Sequence, residues 1–158
     1  MGIVLQRRLQ QTRFHSPHHE AMLNLMVAAF HVRDEMERAC RAHDITEAQY
    51  NVLRILRGAR PEGHPRGEIS RRMLSRAPDL TRLIDRLEKR GLVERVRSGV
   101  DRRQSVSCIT RRGLKLLEDM QPTIDGIDQT FAQHLSARDA RELSRICERL
   151  YGDGAPQR

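Results

Sequence analysis

The sequence predicts a mainly α-helical chain that carries one small β-hairpin. Three observations point there. Apolar residues recur at helical spacing through most of the 158 residues. The spacing shortens toward two at Leu92, Val93 and Val96, and again at Val106, Cys108 and Ile109. The stretch between those runs, Arg97 to Arg103, is charged and contains Gly99, which suits a hairpin turn.

Each element follows from local chemistry. Residues 1–17 read as a basic, weakly structured arm ending at Pro17. From His18 to about Ala42, the residues Met22, Leu25, Ala29, Val32 and Met36 trace a seam close to a heptad period. Such a seam suits either packing against other helices or an intramolecular core. Thr46 is a good N-cap, and Gln49 three residues on completes a capping box. Val52, Leu53 and Leu56 form the buried face of that helix and Gly58 ends it. Residues 59–65 read as a turn-rich loop. A short helix runs from about Arg66 to Leu74, a turn covers Ser75 to Ala77, and the next helix runs from about Pro78 to Arg90. Pro78 suits a first helical position, where the missing N–H costs nothing. Leu80, Leu83, Ile84 and Leu87 face inward, and Gly91 is a good residue to follow the helix end. After the hairpin, a helix begins near Thr110 and Pro122 is expected to kink it. The last helix starts at Ser136, an N-cap with Asp139 in its first turn, and carries Leu143, Ile146 and Leu150.

Charge narrows the function. The net charge is +8, and between Arg66 and Arg112 there are 14 basic and 6 acidic residues. The flanks are balanced, with 15 of each sign, so the whole excess lies in the helix-hairpin segment. That asymmetry is an electrostatic footprint for nucleic acid. Apolar residues make up 38% and aromatics 3%, without tryptophan. This is thin for a self-sufficient core and favours completion of the core by a second copy.

Helix, helix, turn, helix, hairpin is the order of a winged helix-turn-helix. A recognition helix needs an apolar side to anchor it, and short or forked polar groups near its start to reach base edges. Thr81, Arg82 and Arg86 meet that need, within a candidate DNA-binding set that also includes Ser75, Arg76, Pro78 and Asp79. Arg102 and Arg103 supply cations narrow enough for a minor groove. Asp101 is an acid facing a polyanion, and makes sense as the partner of an arginine that shapes the wing.

The stretch from Glu68 to Gly113 resembles the DNA-binding core of the MarR family of bacterial regulators. The matching pieces are Thr81 to Glu88, Arg90-Gly91-Leu92-Val93, Asp101-Arg102-Arg103, and Ile109-Thr110 with Gly113. Thr46 to Leu56 is similar to that family's second helix, and the resemblance extends over about residues 18–151. It implies a double-stranded DNA-binding transcriptional regulator, a repressor released by a small-molecule effector, acting as a homodimer on a pseudo-palindromic operator. Under it the chain divides into a basic arm (1–17), an N-terminal dimerisation helix (18–45), the winged helix-turn-helix lobe (46–110), C-terminal dimerisation helices (111–152) and a tail (153–158). Met22, Leu25, Ala29, Val32, Met36, Leu143, Ile146 and Leu150 are the dimerisation residues. Arg103 becomes the minor-groove residue and Asp101 its positioning partner. The effector class it implies is a small aromatic or anionic molecule.

Other functions are weighed against this. Cys40, Cys108 and Cys147 are far apart and odd in number, so a reduced, cytoplasmic protein associated with the nucleoid is expected. A thiol-redox-responsive regulator of the same fold is the alternative, with Cys40 as the residue to test. His15, His18 and His19 lie close in sequence, but without a second cluster no metal site and no cofactor are expected. Met1 to Leu9 has no signal-peptide apolar run, and Ala21 to Val32 is too short to span a membrane. No phosphate loop, nucleophile elbow or zinc-protease motif appears, so there are no catalytic candidates. A winged-helix protein-interaction module is the remaining alternative, but it does not require the excess charge to sit in one segment.

Overall fold

The computed structural model describes residues 2–75, 77–97 and 105–152. Arg76, Asp101, Arg102, Arg103 and the tail from residue 153 therefore lie outside the described residues. Two units are present, Met1–Glu118 and Asp119–Arg158. The first holds α1 (Ile3–Leu9), α2 (Pro17–Arg41), α3 (Glu47–Gly58), β1 (His64–Pro65), α4 (Arg66–Arg72), α5 (Leu80–Lys89), β2 (Val93–Arg97), β3 (Ser105–Ile109) and the start of α6 (Arg111–His134). The second holds the rest of α6 and α7 (Ala137–Tyr151).

The first seventeen residues correct the expectation of a weakly structured arm. Ile3–Leu9 is helical, Leu5 is buried, and Gln10 ends the helix in the left-handed region at φ 53°. The Gly2 amide donates to Glu20 Oε1 at 2.6 Å, which ties this turn to α2. Ser16 caps α2 by accepting the His19 amide at 3.1 Å, and Pro17 takes the first helical position. Along α2 the apolar side chains divide by position. Ala39 and Cys40 are buried, Val32 and Met36 are half-buried, and Met22, Leu25, Met26, Ala29 and Phe30 are exposed.

The core of the first unit gathers Val52, Leu53 and Leu56 of α3, Ile69 of α4, Ile84 and Leu87 of α5, and Val93 of β2, all essentially buried. The capping box at Thr46 forms in both directions: Thr46 Oγ1 accepts the Gln49 amide at 3.2 Å, and Gln49 Oε1 accepts the Thr46 amide at 2.9 Å.

The sheet is antiparallel with strand order β1-β3-β2. In the hairpin, Val93 lies opposite Ile109 and Arg97 opposite Ser105. β1 is a third strand inside the segment expected to be a plain loop, with His64 opposite Ser107 and Pro65 opposite Val106. Its two residues are too few to show a period, and proline is tolerated at a sheet edge. Gly63 admits this pairing. It sits at φ +70°, and a Cβ there would run into Cys108 Sγ and the Ser107 carbonyl.

Two helix bounds differ from expectation. α4 stops at Arg72, leaving Met73 half-buried and Leu74 exposed in the following turn. α5 begins at Leu80, so Pro78 lies in the turn; Asp79 is the N-cap because its carboxylate captures the Arg82 amide. At the other end, the Gly91 amide bonds the Glu88 carbonyl at 2.8 Å and the Leu92 amide bonds the Leu87 carbonyl at 3.0 Å. With Gly91 at φ +69°, this is a Schellman ending. α6 continues on both sides of Pro122. In the second unit, α7 opens on a reciprocal capping box between Ser136 and Asp139, and none of its residues is buried. Among the described residues, no helix is long and apolar enough to cross a membrane.

Candidate nucleic-acid interface

The turn before α5 is pegged from below. Asn51 of α3, only 4% exposed, accepts the Leu74 amide on its Oδ1 at 3.2 Å. The backbone at Leu74, at the start of the turn that leads into the recognition helix, is thereby tied to α3. Sequence reading missed Asn51, because a polar residue inside a helical run carries no signal for a partner 23 positions away.

α5 then presents two unlike faces. Leu80, Ile84 and Leu87 are buried and Leu83 is half-buried, as the periodicity predicts. Thr81, Arg82, Arg86 and Lys89 are exposed, and the three cations fall at i, i+4 and i+7 on one stripe. Ser75, Pro78 and Asp79 are exposed at the start of this stripe. Arg82 Nε lies 3.1 Å from Asp79 Oδ2, with side chains 78% and 51% exposed. A pair so open to water contributes little and releases its arginine at small cost.

Neighbouring charges are tied internally. Glu68 of α4 pairs with both Arg71 and Arg72. The hydrogen bond from Arg72, with the nearby Arg71 charge, holds the Glu68 carboxyl below the usual carboxylate range. Arg95 of β2 reaches across to α5, pairing with Asp85 and lying 2.8 Å from Glu88. Arg90 donates to the Asp44 carbonyl, joining the end of α5 to the segment before α3. Behind the hairpin, Thr110 Oγ1 donates to the Gly91 carbonyl at 2.7 Å and accepts the Gly113 amide at 3.1 Å, which links the recognition helix ending to the start of α6.

The sensor candidates fall out differently. Burial, with the charges of Glu47 and Glu37, pushes the Cys40 thiol up to about 11. Burial, with Glu94, also raises Cys108. Both shifts oppose the thiolate that redox sensing needs. His19 is half-buried with its ring edge-on to Phe14 at 6.3 Å, while His15 and His18 are exposed. Among the described residues, no group of three or more His, Cys, Asp or Glu side chains is placed to hold a metal ion.

An apolar-anchored helix with an outward cationic stripe, followed by a hairpin bound to it, defines a winged helix-turn-helix module of the kind that docks on duplex DNA. The MarR family model matches residues 43–104. The transcriptional regulator HosA of Escherichia coli O157:H7 is 31% identical over 107 residues, which is 68% of this chain and 78% of HosA. A solved MarR transcription factor from Planctomyces limnophilus is 38% identical, with a TM-score of 0.65 over 86% of this chain and 98% of that one. The S. aureus MepR–DNA complex shares the fold, with a TM-score of 0.72 at 22% identity over 84% of this chain and 96% of MepR. The chain belongs to the MarR family of transcriptional regulators.

Proposed function

We propose that this protein is a transcriptional repressor that binds a pseudo-palindromic operator as a homodimer and leaves it when a small aromatic or anionic effector binds. The observation that carries the reading is the exposed stripe Thr81, Arg82, Arg86 and Lys89 on a helix whose other side is locked into the core. Residues 75–86 lie over the major groove, and the wing carries Arg103 into the minor groove with Asp101 as its positioning partner. The protein acts at the nucleoid, in the cytoplasm.

Dimerisation is supported by apolar side chains left in water. Met22, Leu25 and Met26 on α2, and Leu143, Ile146 and Leu150 on α7, are each between 39% and 67% exposed. A second copy is the partner that gives such faces a dry environment. Ala29, Val32 and Met36 continue the α2 seam.

The effector site we favour is a cavity of about 350 Å³ within the first unit, where α2, the start of α3 and the α4–α5 turn meet. Arg33, Glu37 and Arg41 line one wall, and Ile45, Asn51 and Met73 another. Arg33 is already held by Glu37 and Glu47 at 3.4 Å each, and Asn51 Nδ2 is buried without a hydrogen-bond partner. Glu37 and Glu47 offset Arg33 and Arg41 in this lining, so an acidic ligand would draw Arg33 away from its carboxylates, take up the unused Asn51 donor, and sit against the peg that fixes the recognition turn.

Sequencing the genomic duplexes retained by the purified protein tests the central reading. A recurring inverted repeat, its half-sites about one helical turn or 34–36 Å apart, is the expected result. Retention without any common sequence, or a stable monomer by light scattering at micromolar concentration, would overturn it.

A further inference from the structure

The geometry points to Arg95 as a positioning residue for DNA reading: its guanidinium clamps the first wing strand to the recognition helix and does not itself contact DNA. The inference rests on the DNA-binding reading above.

The hairpin alternates, so Val93, Arg95 and Arg97 share one face of β2. Val93 is buried, and Arg95 on the same face spans to α5. There it meets two carboxylates three residues apart, Asp85 and Glu88, which occupy one edge of the helix. One terminal nitrogen serves each acid, Nη1 to Glu88 at 2.8 Å and Nη2 to Asp85. The planar fork aims a separate arm at each acid in fixed directions, whereas a lysine offers its three donors from one nitrogen on a shorter, freely rotating stem and holds no fixed angle between the two elements. The three side chains are 35–40% exposed, so the cluster lies at the edge of the core and is only partly screened.

Two consequences follow. Asp85 and Glu88 are acids on a helix that must approach a polyanion, and the clamp draws both toward the wing strand. The clamp also fixes the angle between the recognition helix and β2, the strand that leads into the wing. Exposed ion pairs stabilise folds weakly, so the main effect of losing this one falls on geometry and hence on operator choice.

A double-mutant cycle with operator and random duplexes tests this, with duplexes chosen from those the wild-type protein retains. Arg95→Ala is expected to reduce operator affinity on the order of tenfold and to lower the operator-to-random ratio, as coupled residues in one network do. The same change made on Asp85→Ala/Glu88→Ala is expected to cost almost nothing more. The dependence of log K on log salt should keep its slope, because no phosphate contact is lost. Arg95→Lys, which keeps the charge but not the fork, should retain most of the defect. Thermal unfolding of each variant, expected within a few degrees of wild type, excludes simple misfolding. Equal cost in both backgrounds, with a slope shallower by about 1 for both duplexes, would make Arg95 an ordinary phosphate contact and overturn the proposal. Full rescue by Arg95→Lys would overturn it as well. If the wild-type protein retained no duplex at all, the DNA-binding reading itself would fall, an outcome distinct from either.

Discussion

Asp79 stands at the point where stability and DNA binding pull in opposite directions. Its Oδ1 accepts the Arg82 amide at 3.3 Å, and its Oδ2 lies 3.1 Å from Arg82 Nε. Losing an N-cap of this kind costs about 1 kcal/mol, within a range of roughly 0.5–2. The ion pair, with both side chains more than half exposed, adds between zero and about 1 kcal/mol once solvent screening is counted. Asp79→Ala should therefore destabilise the fold by about 1–2 kcal/mol, most of it from the cap. Asp79→Asn retains the capping oxygen and should cost only a few tenths. Urea unfolding at one fixed protein concentration measures this, because any subunit association would otherwise shift the midpoint. Binding separates the variants again. Asp79→Asn removes an acid from the DNA-facing end of α5 and should raise affinity for random duplex. Asp79→Ala gains the same charge but frays the turn that holds Thr81 and Arg82, so its operator-to-random ratio should fall. Equal destabilisation by the two substitutions would refute the reasoning, since the charge and not the cap would then be holding the turn.

Three further outcomes are expected. Asn51→Ala should cost about 0.5–1.5 kcal/mol, the net worth of one hydrogen bond, since the amide of exposed Leu74 can turn to water and the unpartnered Nδ2 goes too, and it should weaken operator binding beyond what the lost stability explains; an unchanged operator affinity in the folded variant would show that the peg does not set the turn. In the native protein at pH 8, Cys40 should alkylate far more slowly than a free cysteine, because its thiol titrates near 11, and Cys40→Ser should bind operator with the same response to peroxide as wild type. A peroxide response abolished by that substitution would restore the redox reading. Arg103→Ala should weaken operator binding by about 1–3 kcal/mol, and Asp101→Ala should weaken it too although it removes an acid; tighter binding by Asp101→Ala at every salt concentration would remove its positioning role.

The parts of the fold legible in the sequence are those with local chemistry. Thr46 with Gln49, Ser136 with Asp139, and Gly91 after Arg90 each mark a helix end through bonds spanning a few residues, and all three form. The hairpin was legible because Val93, Val96, Val106 and Ile109 switch period against a helical background. α1 and β1 were not, being seven and two residues long, too short for a period to emerge. Pro78 misled because a proline suits the first turn of a helix, yet Asp79 beside it is the stronger stop. The site divides along the same line. The exposed stripe of α5 follows from its spacing, while the Asn51 peg depends on tertiary contact. The Arg95 clamp had one usable signal: alternation from a buried Val93 places Arg95 on the strand face toward the helix, where Asp85 and Glu88 are the available acids.

The net charge that drew attention to this segment overstates how uniform it is. Of its six acids, Glu68 holds Arg71 and Arg72, Asp79 holds Arg82, and Asp85 with Glu88 holds Arg95. These pairs leave the sum unchanged but sort the arginines into two kinds. Among the described residues, Arg82 pairs with one acid, three residues away on the same helix end, and is 78% exposed. Trading that partner for a base edge or a phosphate costs at most about 1 kcal/mol, less than a bidentate base contact of about 1–3 returns. Among the described residues, Arg95 pairs with two acids, is 35% exposed, and joins β2 to α5, so opening its clamp gives up both pairs and the angle between strand and helix together. The same side chain therefore serves contact in one place and geometry in the other. What decides between them is how many carboxylates it holds and how much water reaches it, and neither is visible in a count of charges.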